Sequence, residues 1–164
     1  MSRSFALALI ILRCAFGASI ACHGFNKVQG GIDGTASWFS SIGMQHPKMQ
    51  ARLAATTEVT VGILLCVGFL TEFACAGLIA LMLVAGIVGH RKNGYFIFRT
   101  PQGWEYCASI AIVGLTLSLT GPGSWSLDSV VGRTNSGAYG GTVALALGLL
   151  TGSLQLAFFW RPKR

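Results

Sequence analysis

Charge is what this chain has least of. Charged residues fill 10% of its 164 positions, and only five are acidic: Asp33, Glu58, Glu72, Glu105 and Asp128. A water-soluble domain carries about a quarter charged residues. With so few, the chain cannot coat its own surface, and lipid must be its main solvent. The mean hydropathy of +0.62 agrees. One domain is the natural count for this length. The net charge of +7 does not point to nucleic acid, because the basic residues lie between apolar runs rather than in one stripe.

Several metal and redox signatures are missing too. The five cysteines, Cys14, Cys22, Cys66, Cys75 and Cys107, contain no CxxC pair, so thioredoxin-like, iron–sulfur and zinc-ribbon readings lack support. All five fall in apolar segments, where a free thiol packs as a small hydrophobe. Cys66 and Cys75 flank a tight turn and could approach each other, but a disulfide needs both distance and direction to suit. There is no Glu-x-x-His pair of the kind that di-iron bundles use. A bis-histidine haem through His23 and His90 lacks a second histidine pair, since His46 lies in a loop. No metal is therefore expected. No inverted repeat is visible, which counts against a small proton-coupled transporter.

What the chain does have is long apolar runs. A helix needs roughly 17–25 residues to cross a hydrocarbon core, and five stretches approach that: 4–22, 53–70, 73–89, 104–120 and 138–160. Unpaired backbone is not tolerated in lipid, so these runs are expected to be helices. The fold class is all-α, a membrane bundle with a four-helix core and a fifth C-terminal span. The apolar centre of the fourth run is short. Arg13 interrupts the first run and the apolar pattern then resumes, which favours a retained helix over a signal peptide. Residues 30–52 are too polar to span, and Trp38, Phe39 and Ile42 suggest an interfacial helix ending near Gly43.

Five crossings sort the basic residues unequally. Lys27, Lys48, Arg52, Arg91, Lys92, Arg99, Arg161, Lys163 and Arg164 fall on one side, and Arg3 and Arg133 on the other. The positive-inside rule then puts the C-terminus in the cytoplasm and the N-terminus outside the cell membrane.

Arg13 lies inside an apolar run, where a charge is costly and rarely incidental. It can pair with Glu58 or with a polar group from the outer loop. His23, Lys27, Glu58, His90 and Glu105 all fall near one membrane face. His23 and Lys27 are four apart, on one side of a helix. Such a set can hold a proton relay, an anionic headgroup or a metal. Each member also has a plainer reading: Lys27 as a snorkelling side chain, His90 and Glu105 as charges complementing helix ends. At the other face, Gly121-Pro122-Gly123 stops a helix sharply. Ser126 and Asp128 can cap a short helix there, with Trp125 as interfacial anchor. The stripe Ala144-xxx-Gly148-xxx-Gly152 lets backbones approach closely, inside the chain or toward a second copy in a homo-oligomer.

Arg13, His23-Gly24 and Lys27, Glu58 with Gly62, His90, Gly103 with Glu105, and Gly121-Pro122-Gly123 with Ser126-Leu127-Asp128 together resemble the DoxX family of small bacterial and archaeal membrane proteins. Thr71-Glu72 departs from it, because the family often has an arginine after that turn. The fifth span also extends beyond the usual four-helix unit. The resemblance implies redox chemistry at the membrane. Related subunits belong to thiosulfate:quinone oxidoreductases, and other members join a sulfurtransferase and a superoxide dismutase in an oxidative-stress complex.

On that footing the expected role is a membrane subunit of a quinone-linked oxidoreductase with soluble or membrane redox partners and quinone as the candidate ligand. His23 and His90 would exchange protons with it, since imidazole can gain and lose a proton near neutral pH. Glu58 and Glu105 would orient them or pass protons on. Arg13 and Lys27 would stabilise negative charge, with Phe25 and Trp104 as aromatic neighbours. The alternatives are a non-enzymatic scaffold for soluble redox proteins and a small proton-coupled transporter.

Overall fold

A computed structural model describes residues 2–162; Lys163 and Arg164, which entered the charge count above, lie outside the described residues. Among the described residues the regular structure is helical, without strands. The elements are α1 (Arg3–Gln29), α2 (Ile32–Ser41), α3 (Pro47–Val67), α4 (Thr71–Ala85), α5 (Glu105–Thr120), α6 (Leu127–Val130) and α7 (Gly137–Phe159). A π turn at Gly86–His90 and a 3-10 turn at Arg91–Asn93 prolong α4.

Among the described residues, four helices are long and apolar enough to cross a membrane: α1, α3, α4 with its extension to Asn93, and α7. The run at 104–120 forms α5, an apolar helix of 16 residues that falls below this length. The first and second spans are longer than hydropathy alone suggests. In α1 the helix continues through His23 to Gln29, and α3 begins at Pro47, six residues before its apolar run. Proline at the first helical position carries no N–H to leave unpaired, which suits that start.

The outside of the bundle is apolar. Ile11, Ile112, Val130, Tyr139 and Phe158 are all more than half exposed, as helices solvated by acyl chains require. Inside, α4 is the central helix. Leu78, Ile79 and Met82 pack with Leu65 of α3 and with Cys107 and Leu117 of α5. The small-residue stripe of α7 faces inward: a side chain on Gly148 would strike Ile79 and Ala76, and one on Gly152 would strike Leu83 and Ala80. That stripe is an internal seam against α4.

A second seam joins α1 to α3. A Cβ on Gly17 would lie 2.6 Å from the carbonyl oxygen of Gly62, one on Gly62 would collide with the oxygen of Gly17, and one on Gly24 would lie 2.7 Å from the oxygen of Ala55. The two backbones touch, as glycine permits.

The interfacial segment is a true helix, α2. Its start is tied to α3 by an exposed Lys48–Asp33 ion pair of 2.9 Å. The Lys48 ammonium, through its hydrogen bond and then its charge, holds the Asp33 carboxyl below the usual carboxylate value. The turn after α2 also grips the end of α7. Gln45 N–H donates to Phe159 O at 2.7 Å, Arg161 N–H to Gly43 O at 2.9 Å, and the Trp160 indole N–H to Ile42 O at 3.0 Å. The end of α7 is thereby fastened to α2.

Candidate functional site

The polar residues collect at the two ends of the bundle. At the first end, Arg13 is 1% exposed. Its Nη2 donates to the backbone oxygen of Trp125, 112 residues away. The guanidinium lies over Gly68, where a Cβ would overlap Nη1. Gly68 has φ +64°, a region glycine enters without penalty, so this turn both needs glycine and leaves room for the arginine. Of the two pairings open to Arg13, the structure has the outer-loop one. Its Nε and Nη1 have no hydrogen-bond partner among the described residues.

Asp128 organises this end. It is 1% exposed, and its carboxylate accepts the N–H of Leu70 and of Thr71, each at 2.9 Å, and the Thr71 hydroxyl at 2.7 Å. Those are first-turn groups of α4 with no partner inside the helix. Asp128 therefore caps α4, not its own short helix. The α6 cap is Ser126, whose Oγ accepts from Ser129 N–H at 3.1 Å. Leu70 is held at φ +49°, an unusual conformation for a non-glycine residue that the Asp128 contact secures. Glu72 is 4% exposed and accepts from Arg133 Nη2 and Asn135 Nδ2, both at 2.8 Å. Arg133 Nε also lies 3.7 Å from Asp128. Two cations, buried Arg13 and partly exposed Arg133, thus share a layer with two buried carboxylates, Glu72 and Asp128. Gly121 and Gly123 have positive φ on either side of Pro122 and turn the chain so that residues 125–128 fold back over α1 and α3.

At the opposite end is a cavity of about 650 Å³ lined by α1, α2, α3, α4, α5 and α7. His23, Lys27, Glu58 and His90 all border it. Lys27 Nζ bonds both oxygens of Glu58, at 2.7 and 2.6 Å, in a partly buried pair joining α1 to α3. His23 is exposed at the rim. His90 Nδ1 lies 2.9 Å from Gln102 O, and its Nε2 lies 2.6 Å from the Tyr106 hydroxyl. A carbonyl can only accept, so Nδ1 carries a proton; in the neutral ring Nε2 then accepts from the Tyr106 O–H, and in the charged ring it donates to the Tyr106 oxygen. The π turn at Gly86–His90 sets this geometry. Its wider turn aims His90 toward α5, and π turns often occur at functional positions. Trp38 of α2 lies 3.3 Å from where a Gly89 Cβ would be and covers the turn.

Four of the expected members do not border this cavity. Glu105 turns outward, accepting the Ile97 N–H at 3.1 Å and so fixing the 94–104 loop. Consecutive helical residues point about 100° apart, so Glu105 and Tyr106 cannot share one face, and it is Tyr106 that lines the cavity. Trp104 packs edge-on against Tyr95 at 4.9 Å between ring centres and lines a separate apolar groove of about 350 Å³. Arg13 belongs to the other end. Phe25 is half exposed on the outside of α1. Tyr106 was not among the sequence candidates, and neither were Gln50 and Gln155, which share a 2.7 Å bond between α3 and α7. A tyrosine in an apolar run reads as an interfacial anchor, and only the long-range contact with His90 distinguishes it. Glu72 and Arg133 gave a usable signal: each is a lone charge beside an apolar run.

The thiols are all free, and Cys66 lies beside Cys14 rather than Cys75. Among the described residues, no three His, Cys, Asp or Glu side chains are grouped to hold a metal ion.

Comparison with known proteins agrees with this architecture. The chain is 32% identical over 123 residues to "Inner membrane protein YphA" of Escherichia coli (strain K12), covering 73% of this chain and 87% of that one. It is 30% identical over 131 residues to "Putative oxidoreductase CatD" of Bacillus subtilis (strain 168), covering 80% and 92% respectively. No solved structure matches. The DoxX family model matches residues 8–91, a stretch that carries Arg13, His23, Lys27, Glu58, Glu72 and His90 and ends just beyond the π turn. This all-helical membrane protein belongs to the DoxX family.

Proposed function

We propose that the chain is the membrane subunit of a redox complex and receives a quinone headgroup in the 650 Å³ cavity. The observation that carries this reading is the convergence of Tyr106, His90, His23 and the Lys27–Glu58 pair on one otherwise apolar space. That volume falls in the range of small-molecule sites, about 300–1,000 Å³, which typically combine apolar walls with a few placed polar groups. A bound quinone would accept two electrons and two protons. With His90 neutral the single Tyr106 hydroxyl hydrogen points to Nε2; once His90 takes up a proton, Nε2 donates to the Tyr106 oxygen and the hydroxyl hydrogen is free to pass to a ligand oxygen. Neutral His90 holds its proton on Nδ1, so it orients Tyr106 through Nε2 and resupplies it only after taking up a proton itself. Lys27, already neutralised by Glu58, would stabilise negative charge without leaving an isolated cation in the membrane.

The basic residues support an orientation with the cavity at the cytoplasmic face. Among the described residues Lys27, Lys48, Arg52, Arg91, Lys92, Arg99 and Arg161 belong to the cavity end and Arg3 and Arg133 to the other. Soluble redox partners would dock there. A scaffold reading draws on the same surface: Phe98 is 77% exposed, and Arg99 lies over the Phe96 ring at 5.2 Å.

Tyr106→Phe keeps the ring and deletes the donor. Quinone reduction by the purified complex should fall by roughly 10²–10⁴-fold, the usual contribution of a positioned proton donor, with unchanged recovery from the membrane. Full activity in this variant would remove the relay. Retained partner binding together with no detectable quinone binding by the wild-type chain would favour the scaffold.

A further inference from the structure

Cys14, midway along the apolar run of α1, faces Cys66, the penultimate residue of α3, beside the Arg13 layer. Each sulfur lies near the other's backbone oxygen: Cys14 Sγ is 3.6 Å from Cys66 O, and Cys66 Sγ is 3.8 Å from Cys14 O. The Gly17–Gly62 crossing brings the backbones into contact one turn away. A Cβ on Gly17 would come within 2.8 Å of Cys66 Sγ, so glycine there makes the space the sulfur occupies. Both cysteines are partly exposed, and in membrane-spanning helices that exposure is toward lipid. Cys75 and Cys107, by contrast, are fully buried.

We propose that Cys14 and Cys66 form a redox-active dithiol that is oxidised to an intramolecular disulfide by lipid-soluble quinone. The two S–H bonds break and one Sγ–Sγ bond forms. Two electrons and two protons pass to the quinone, whose carbonyls become the hydroxyls of a quinol. Water-soluble oxidants reach this depth poorly, whereas a quinone dissolves in the surrounding lipid. The crosslink would join α1 to α3 next to Arg13, adjacent in sequence to Cys14. It does not depend on what the cavity binds.

The test uses the full chain in its own membranes. These are treated with duroquinone, whose fully substituted ring cannot add a thiol, then denatured and labelled with a maleimide of about 5 kDa. The wild-type chain has five thiols and should lose two labels, with dithiothreitol restoring both and one quinol appearing per disulfide. Cys14→Ser and Cys66→Ser should each keep all their remaining labels. Cys22→Ser, which removes a thiol outside the pair, should lose two as the wild type does. Five labels on oxidised wild type would overturn the proposal. So would label loss that persists in Cys14→Ser, or a disulfide-linked dimer on a non-reducing gel.

Discussion

Asp128→Ala should leave little folded protein in the membrane. The carboxylate accepts two α4 N–H groups and the Thr71 hydroxyl, and it neutralises half the positive charge of a layer holding Arg13 and Arg133. Removing one member of a buried charge pair costs about 3–5 kcal/mol where the charge left behind has neither water nor partner; here that charge is Arg13, since Arg133 is partly exposed and keeps Glu72. A helix cap alone is worth about 1 kcal/mol, so most of the loss comes from the buried Arg13 guanidinium. Asp128→Asn separates the two contributions. It keeps an acceptor for one N–H and loses the charge, so it should fall closer to alanine than to wild type. Thermal unfolding of the detergent-purified chain, followed by fluorescence-detected size exclusion, measures this. An alanine variant that melts with the wild type would show that the layer has no energetic importance.

Gly62→Leu should be as damaging by a different route. Its new side chain would meet the Gly17 backbone oxygen and Ala21. Backbone cannot swing aside as a flexible side chain can, so α1 and α3 would have to separate. Overpacking usually costs about 1–3 kcal/mol, and here the strain adds to the lost contact along the whole seam. The same separation would pull Lys27 from Glu58 and open one wall of the cavity. Gly62→Ala should be milder and still lower the melting temperature. If Gly62→Leu gives normal yield and thermal stability, the close crossing does not exist in the membrane.

Much of this architecture was legible in the residues. Apolar runs long enough to span lipid mark α1, α3, α4 and α7 without reference to tertiary structure, because lipid imposes helices on any such run. Arg13 was legible as important for the same reason. Its partner was not, since hydropathy says nothing about which loop returns over a helix. The His23–Lys27 spacing fixed one helix face, and the clustering of His23, Lys27, Glu58 and His90 followed from counting crossings. Glu105 shows the limit of that counting. It lies at the right depth, but depth does not determine azimuth, and one residue further along α5 the azimuth favours Tyr106. The π turn escaped for a related reason: five residues that widen a helix have no compositional mark.

The Arg13–Trp125 contact has a consequence for how the protein is made. The ribosome produces α1 first, while the loop that accepts its charge emerges more than a hundred residues later. Until then, the first helix must carry a guanidinium whose insertion alone costs roughly 2.5–3.5 kcal/mol near the bilayer centre. During synthesis α1 is therefore a poorly anchored segment, free to linger at the interface or against the insertion machinery. The chain becomes a settled membrane protein only when its last third arrives to hold its beginning in place.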